Sequence, residues 1–269
     1  MKRKKTINIS VAAGISHTKV GVFKNGSLVK FFKYDSRPQI STKKLFDIFK
    51  LNYDFQKDVA AGAEVTLSIA SDAFEIADAY ERLSQKNGVD FLKISSSLKL
   101  PLKINYDPPQ SLGVERICTA VAAFRKYGME AANLVVIDFG ARTSFGLISD
   151  GAFRGGLISP GFQPYANALN IDSSYMFRIH YNRISGYLCR DDKSEIAAGV
   201  YGGYSILING LYKKLIDDAR LNEKEICVIT TGGYSSFFTT NVDFSVINDQ
   251  TLVLDGINII TKDNCLENE

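Results

Sequence analysis

A three-strand pattern occurs twice in this sequence, about half a chain apart, and it restricts the possible folds more than any other feature. The second copy begins with the apolar run 134–137, which leads to Asp138 and Gly140. Short runs of β-branched residues bounded by turn residues predict buried strands. A second strand, 143–149, then reaches an Asp-Gly dipeptide, a strong sequence signal for a β-hairpin. A third strand follows, so the segment is predicted to be three consecutive strands.

The first copy lies near the N-terminus and has the same order of elements. Strands are predicted at 7–11, 18–23 and 29–32, with a turn at Gly14 and an Asn-Gly hairpin between the second and third strands. Two copies of one unit predict a duplicated domain.

The glycine turns of the two copies have a chemical use. Facing turns can hold a polyphosphate through backbone N–H groups, and a neighbouring carboxylate can hold a metal ion. In the second copy this carboxylate is Asp138, two residues before Gly140, whereas Ala12 stands at the matching position before Gly14. We therefore expect a ligand cleft between two related domains, with a metal ligand in only one of them.

The rest of the chain alternates between predicted helices and strands, which indicates an α/β layered fold. Helices are predicted at 41–51, 74–86, 161–169 and 194–218, and from a cap at Ser111 to Gly128. Strands are predicted at 64–70, 89–94 and 225–230; 252–260 fits a strand or a helix, and 173–181 is ambiguous. The adjacent prolines 108 and 109 predict a boundary between domains 1–108 and 109–269.

Composition excludes several classes of function. The net charge of +3 is too small to indicate a nucleic-acid partner, and the basic start MKRKK is typical of a solvated tail. No apolar run reaches the ~20 residues that a membrane span needs, so we expect a soluble, cytoplasmic protein. The four cysteines form no Cys-x-x-Cys pair and there are only two histidines, which argues against a zinc site or a Ser-His-Asp triad.

Five sequence blocks resemble the type III pantothenate kinases of the actin, Hsp70 and sugar-kinase superfamily, and they occur in that family's order. They are YDPPQSLGVER at 106–116, DFGARTS at 138–144, GGLISPG at 155–161, TGG at 231–233 and LVLDGI at 252–257. The resemblance implies duplicated ribonuclease-H-like (actin-like ATPase) domains with a cleft between them. It also implies a homodimer that phosphorylates pantothenate with ATP, the first step of coenzyme A synthesis.

The resemblance also implies roles for individual residues. Glu115 matches the acid that activates the pantothenate hydroxyl and Arg116 orients the substrate, although Glu115 could instead serve only the helix dipole. Asp138 is the implied ligand for Mg²⁺. A monovalent cation, K⁺ or NH₄⁺, is a second candidate at the same residue. Phosphate and ATP contacts are implied for Gly14, Ser16, Gly140, Thr143, Ser144, Gly232 and Gly233. Substrate contacts are implied for Tyr106, Gly113, Arg116 and Asp192.

Some positions depart from the family pattern. Ala12 and Ile15 replace an Asp and an Asn in the first glycine turn, and Glu115 replaces a shorter Asp. Ala141 and Arg142 replace a Thr-Ala pair, and Asp191-Asp192 aligns with an Asn-Thr pair contributed across the dimer. The departures predict a chain that is slow alone or works with a paralogous subunit, as a homodimer or a heterodimer. A non-catalytic regulatory or binding protein, and a kinase for another small alcohol, are the alternative hypotheses.

Two further features remain open at this level. The long predicted helix 194–218 has an apolar stripe that fits either a buried core face or a dimer interface. Its members are Ile196, Val200, Tyr204, Leu207, Leu211 and Leu215. The Gly pair after Thr231 fits either a close approach of nucleotide to backbone or an ordinary tight turn. No membrane partner and no nucleic acid are expected.

Overall fold

The structure, a computed structural model, describes residues 5–14, 16–36, 41–169 and 186–265. The chain divides into two compact units, Met1–Lys126 with Gly151–Phe153 and Thr251–Glu269, and Tyr127–Asp150 with Arg154–Gln250. We describe each unit by itself. Because these units follow packing rather than the repeat, the domain limits 1–108 and 109–269 stay a prediction.

The first unit is built on a five-stranded sheet with the strand order β3-β2-β1-β4-β5. The hairpin strands β1, β2 and β3 run antiparallel, and β4 and β5 continue the sheet in parallel with β1. The strands are β1 (Thr6–Ala13), β2 (His17–Lys24), β3 (Ser27–Asp35), β4 (Glu64–Ala70) and β5 (Asp90–Lys93).

Helices cover both faces of this first sheet. One face forms a core with α1 and α3 in which Ile9, Leu67 and Phe49 are fully buried. The other face packs against the C-terminal helix. Segment 252–260 lies in that helix, so the helical alternative of its two predictions is confirmed. The helices of the unit are α1 (Thr42–Asn52), α2 (Gln56–Ala60), α3 (Phe74–Lys86), α4 (Val114–Tyr127) and α9 (Leu252–Cys265).

The second unit repeats the strand order of the first. Its strands lie in the order β9-β8-β7-β10-β11, where β7 and β8 are antiparallel and β7, β10 and β11 are parallel. The short strand β6 (Lys103–Ile104) pairs with the first residues of β9, and these belong to the first unit. The strands are β7 (Asn133–Phe139), β8 (Arg142–Ser149), β9 (Ala152–Pro160), β10 (Ile226–Thr231) and β11 (Ile247–Asn248). The common order confirms the predicted duplication of an α/β unit.

The long helical segment of the second unit is not a single α-helix. A π-helical turn, Ala198–Gly202, separates α6 (Asp192–Ala197) from α7 (Gly203–Asp218). The other helices are α5 (Phe162–Asn167) and α8 (Ser235–Phe238). The deepest row of the segment consists of Val200, Tyr204, Ile208, Tyr212 and Ile216. The predicted stripe is therefore only partly correct, because Leu207, Leu211 and Leu215 lie beside that row and keep partial exposure.

Other local predictions have different outcomes. Both hairpins form as predicted, with positive φ at Asn25 and Asp150 and at the glycines that follow them. The prediction that Ser111 caps α4 is wrong: Ser111 lies in a 3₁₀ turn, and its hydroxyl donates to the Pro108 carbonyl. The ambiguous segment 173–181 lies outside the described residues. In the part of the chain that the structure describes, no helix is long and apolar enough to cross a membrane.

Candidate functional site

In the first unit, the carboxylate of Glu115 lies against the turn at Gly14. A Cβ atom placed on Gly14 would lie 3.4 Å from Glu115 Oε1 and 3.2 Å from the His17 carbonyl oxygen. The turn is held by a 3.2 Å hydrogen bond from the Gly14 N–H to that carbonyl. The fold thus brings together two residues that are about a hundred positions apart in sequence, and it places an acid beside the backbone of the turn.

Glu115 stands in the first turn of α4, and Asp72 holds the start of that helix. The Val114 N–H donates to Asp72 Oδ1 at 3.2 Å, which satisfies one of the N–H groups that a helix start leaves unpaired. Sheet register explains the position of Asp72. Ala70 pairs with Ala12 in the parallel strands β4 and β1, so the residues after both strands reach the same sheet edge.

The pKa of the Cys118 thiol is affected by the negative charges at this sheet edge. Burial raises the pKa of Cys118 well above its usual value, and the negative charges of Glu115 and Asp72 raise it further. Both carboxylates therefore act on one buried position of α4. Asp72 was not among the predicted site residues. It is an acidic residue just after the buried strand 64–70, but only the strand pairing shows that it lies at the same sheet edge as Gly14.

A substitution of Asp72 tests its role at the start of α4. We expect Asp72→Ala to lower the free energy of unfolding by about 1 kcal/mol, because the Val114 N–H loses its acceptor. Asp72→Asn keeps an acceptor oxygen and should lose at most half as much. Urea unfolding followed by circular dichroism measures both values, and equal losses for Ala and Asn would contradict the capping role.

The side chain of Arg116 packs on two aromatic rings of the first unit. Its guanidinium carbon lies 5.9 Å from the ring centre of Tyr106 and 5.2 Å from that of Phe153. Stacking uses the flat face of a guanidinium, whereas its N–H donors lie in the plane at the edge. The structure thus brings Arg116 and Tyr106 together, as their shared assignment to the substrate requires. Phe153 is an added partner that the sequence analysis did not identify.

In the second unit, Asp138 is the next-to-last residue of β7 and lies between two glycine turns. A Cβ atom on Gly140 would lie 3.5 Å from Asp138 Oδ1, and one on Gly232 would overlap the same oxygen. Gly232 follows β10 with φ +96°, a conformation that L-residues rarely adopt. Gly140 and Gly232 are therefore both close to the partly exposed Asp138 carboxylate, whereas a Cβ atom on Gly233 would meet nothing within 4 Å.

Strand register arranges three polar residues in a row at this edge. Asp138 pairs with Ser144 on β8 and with Thr231 on β10, so their side chains share one face of the sheet. Thr143 has the opposite orientation: it is fully buried, and its hydroxyl shares a hydrogen bond with Tyr204. The side chain of Thr143 therefore faces the core, away from the row that contains Asp138, although it was grouped with Ser144 in the predicted phosphate site.

The remaining predicted residues have varied surroundings. Ser16 is exposed, and Gly113 lies beside Asp72 at the start of α4. Asp192 is exposed at the first residue of α6, while Asp191 caps that helix through the Ser194 N–H at 3.1 Å. Hydrogen bonds from Ser194 lower the pKa of Asp191. Capping of α6 therefore accounts for Asp191 without any ligand.

Comparison with known proteins identifies the family of this chain. A family model described as type III pantothenate kinase matches residues 8–214. A type III pantothenate kinase from Persephonella marina is 30% identical over 167 residues, which cover 62% of this chain and 63% of that enzyme. Another from Sulfurihydrogenibium sp. is 25% identical over 259 residues, covering 94% of this chain and 99% of the relative. The match thus spans somewhat less than two thirds of the first relative and nearly all of the second.

Solved structures support the fold. A conserved putative Baf family transcriptional activator from Campylobacter jejuni has a TM-score of 0.55 at 19% identity, over 94% of this chain and 97% of that one. A ROK family glucokinase from Streptomyces griseus has a TM-score of 0.52 at 12% identity, with coverage of 94% and 97%. At these identities the likeness concerns the fold alone, which is the predicted actin-like ATPase and sugar-kinase architecture.

Proposed function

Because the chain belongs to the type III pantothenate kinase family, we propose that it transfers a phosphoryl group from ATP to a hydroxyl group of pantothenate. The observation that carries the proposal is the Glu115 carboxylate at the Gly14 turn. It supplies an acid beside the backbone of the Gly14 turn, at the position where the family has its acid. Phosphoryl transfer needs little covalent chemistry from the protein, so positioning and charge compensation are the main requirements.

Glu115 is the proposed general base. A carboxylate within hydrogen-bond reach of a hydroxyl can accept its proton as the oxygen attacks phosphorus. The side chain is one methylene longer than the family's Asp, and its position against Gly14 defines where the substrate hydroxyl has to lie. Asp72 supports this arrangement by holding the start of α4.

Arg116 and Tyr106 are the proposed substrate contacts. Pantothenate carries a carboxylate, and a guanidinium binds a carboxylate through two parallel N–H donors. The rings of Tyr106 and Phe153 pack against the guanidinium group and limit its movement. We assign the pantothenate carboxylate to Arg116 on this basis, with Gly113 allowing close approach of the backbone.

Asp138 is the proposed residue for Mg²⁺. Among the described residues no three His, Cys, Asp or Glu side chains group into a metal site. A single carboxylate fits Mg²⁺ in a kinase, because that ion takes most of its ligands from water and nucleotide phosphates. Because a Cβ atom on Gly232 would overlap the Asp138 carboxylate, a glycine at this position lets the backbone after β10 approach that carboxylate closely. Mg²⁺ at Asp138 would neutralise phosphate charge, and K⁺ or NH₄⁺ is the second proposed cation there.

The departures in the glycine turns led us to expect a chain that is slow alone or depends on a paralogue. The comparisons do not bear out this expectation, since both relatives described above carry the name of the kinase itself. Ala12 is buried, with 2% exposure, and offers no oxygen for a cation. Asp138 therefore carries the proposed cation role by itself. The predicted cleft between the two domains stays a prediction.

A coupled assay of ADP release tests the function. We expect ADP release by the purified chain with ATP and Mg²⁺ to depend on pantothenate and to yield one phosphopantothenate per ADP. Two controls are omission of pantothenate and its replacement by pantothenol, which keeps the hydroxyl groups and lacks the carboxylate. Full activity on pantothenol would remove the proposed role of Arg116. ADP release that ignores pantothenate would contradict the proposed function.

We also propose a dimer of two copies of this chain. Ile206 on α7 is 57% exposed, and the neighbouring row of Leu207, Leu211 and Leu215 remains partly exposed. Partly exposed leucines at four-residue spacing along one flank of a helix, with an exposed isoleucine beside the first of them, fit an interface between subunits. Light scattering at micromolar concentration should give twice the 29.7 kDa mass, and Ile206→Lys should lower it. A monomer mass for the wild-type chain without a co-purifying homologue would contradict the dimer.

A further inference from the structure

The hydroxyl of Thr231 is buried without a partner. Thr231 is 2% exposed, and among the described residues its Oγ1 atom accepts or donates no hydrogen bond. A buried polar atom without a partner destabilises a folded protein, so such atoms are rare and call for an explanation. The adjacent Thr230 shows the ordinary case, because its hydroxyl bonds with Thr239 and Asn248.

The position of Thr231 points to an explanation. It is the last residue of β10, it pairs in register with Asp138, and it precedes Gly232. Successive strand residues point to opposite faces, so the Thr231 side chain lies on the Asp138 face and that of Thr230 lies on the other. The unpartnered hydroxyl is therefore beside the single carboxylate that is proposed to hold a cation.

We propose that Thr231 is a positioning residue for the hydrated cation at Asp138: its hydroxyl hydrogen-bonds the water shell of that ion. This inference rests on the proposed function, since the ion accompanies ATP. A bridging water can satisfy a buried hydroxyl nearly as well as a direct protein partner can. The hydroxyl would thus be unsatisfied in the cation-free protein and satisfied in the loaded one.

The replacement of Thr231 by valine tests this inference, because valine keeps the shape and removes the hydroxyl. In EDTA, Thr231→Val should raise Tm by about 2–4 °C, since an unsatisfied buried group disappears. The Mg²⁺-dependent gain in ADP affinity, measured by calorimetry, should fall about fivefold or more, while ADP affinity in EDTA stays unchanged. Thr231→Ser should restore the gain to within about twofold.

Thr230→Val is the matched control, one residue away and equally buried. It removes a satisfied hydroxyl, so it should lower Tm in EDTA and leave the Mg²⁺ dependence unchanged. A second titration measures ADP affinity with K⁺ in place of Mg²⁺. The cation whose gain in ADP affinity is lost in Thr231→Val is the one that the Thr231 hydroxyl positions.

Three results would overturn the inference. A Tm that falls in Thr231→Val as it does in Thr230→Val would show that the hydroxyl is satisfied within the fold. An unchanged response to both cations would show that the hydroxyl serves neither. If the wild-type chain does not bind ADP with either cation, there is no bound cation for Thr231 to position. Cation-dependent ADP binding without pantothenate phosphorylation would instead contradict only the proposed function and leave Thr231 in its role.

Discussion

Replacement of Glu115 by glutamine is expected to lower kcat for pantothenate phosphorylation by about 10²- to 10⁴-fold, the usual contribution of a general base. Glutamine has the size of glutamate, so it keeps the contact with the Gly14 turn. Its amide cannot accept a proton at neutral pH. The loss should therefore appear in kcat, with little change in the KM for ATP or in Tm.

Two variants separate proton acceptance from packing. Glu115→Asp keeps a carboxylate of the length that the family has, and a shift of about 1 Å predicts a loss of up to ~10²-fold. Asp72→Asn removes the neighbouring charge and keeps the hydrogen-bond acceptor for Val114, so it should retain most of kcat. The measurement is steady-state ADP release at saturating ATP and pantothenate.

A Glu115→Gln variant that keeps more than a tenth of wild-type kcat would contradict the assignment of the base. Asp72 would then be the next candidate, because its carboxylate lies at the start of α4, the helix that carries Glu115. In that case the Asp72→Asn variant should show the large fall in kcat. The pair of asparagine and glutamine variants therefore identifies the base between the two acids.

Features that depend only on residues close together in the sequence were predicted correctly. The hairpins at Asn25 and Asp150 follow from dipeptides with a strong preference for positive φ, and both form. The helix 74–86 follows from helical spacing and has the predicted limits. Such signals are local, so no knowledge of tertiary contacts is needed to read them.

Features that depend on pairing between distant segments were missed. Asp72 lies at the same sheet edge as the Gly14 turn only because β4 pairs with β1. The sequence alone does not predict the register of that pairing. The unpartnered state of Thr231 likewise depends on what surrounds the end of β10 in the folded chain. The opposite orientations of Thr143 and Ser144 could have been read from strand alternation once the hairpin register was fixed.

On the long helix, apolarity alone did not decide the depth of burial. Tyr212 and Leu211 are adjacent, and both rows contain large apolar side chains. The row that contains Tyr204 and Tyr212 lies deeper, because Tyr212 packs on Phe244 and Tyr204 packs on Phe238. Aromatic partners from other segments make that choice, so spacing within the helix could not predict it.

The second large effect is expected at Gly232. Gly232→Ala should lower phosphoryl transfer by about 10²-fold or more, because a methyl group there displaces the Asp138 carboxylate, and a misplacement of ~1 Å can have that effect. The new Cβ would overlap Asp138 Oδ1 and lie 2.6 Å from the carbonyl carbon of Phe139. It would also force an L-residue to adopt φ +96°, so the free energy of unfolding should fall by about 1–2 kcal/mol or more.

Gly233→Ala is the matched control, one residue further along. A Cβ on Gly233 meets nothing within 4 Å and the position is exposed, so the free energy of unfolding should remain within about 0.5 kcal/mol of wild type. Both variants are to be compared by ADP release and by Mg²⁺-dependent ADP binding, at a temperature where circular dichroism shows them folded. The binding measurement separates a local displacement of Asp138 from general unfolding. A folded Gly232→Ala variant with wild-type Mg²⁺ dependence would show that the cation does not depend on the position of Asp138.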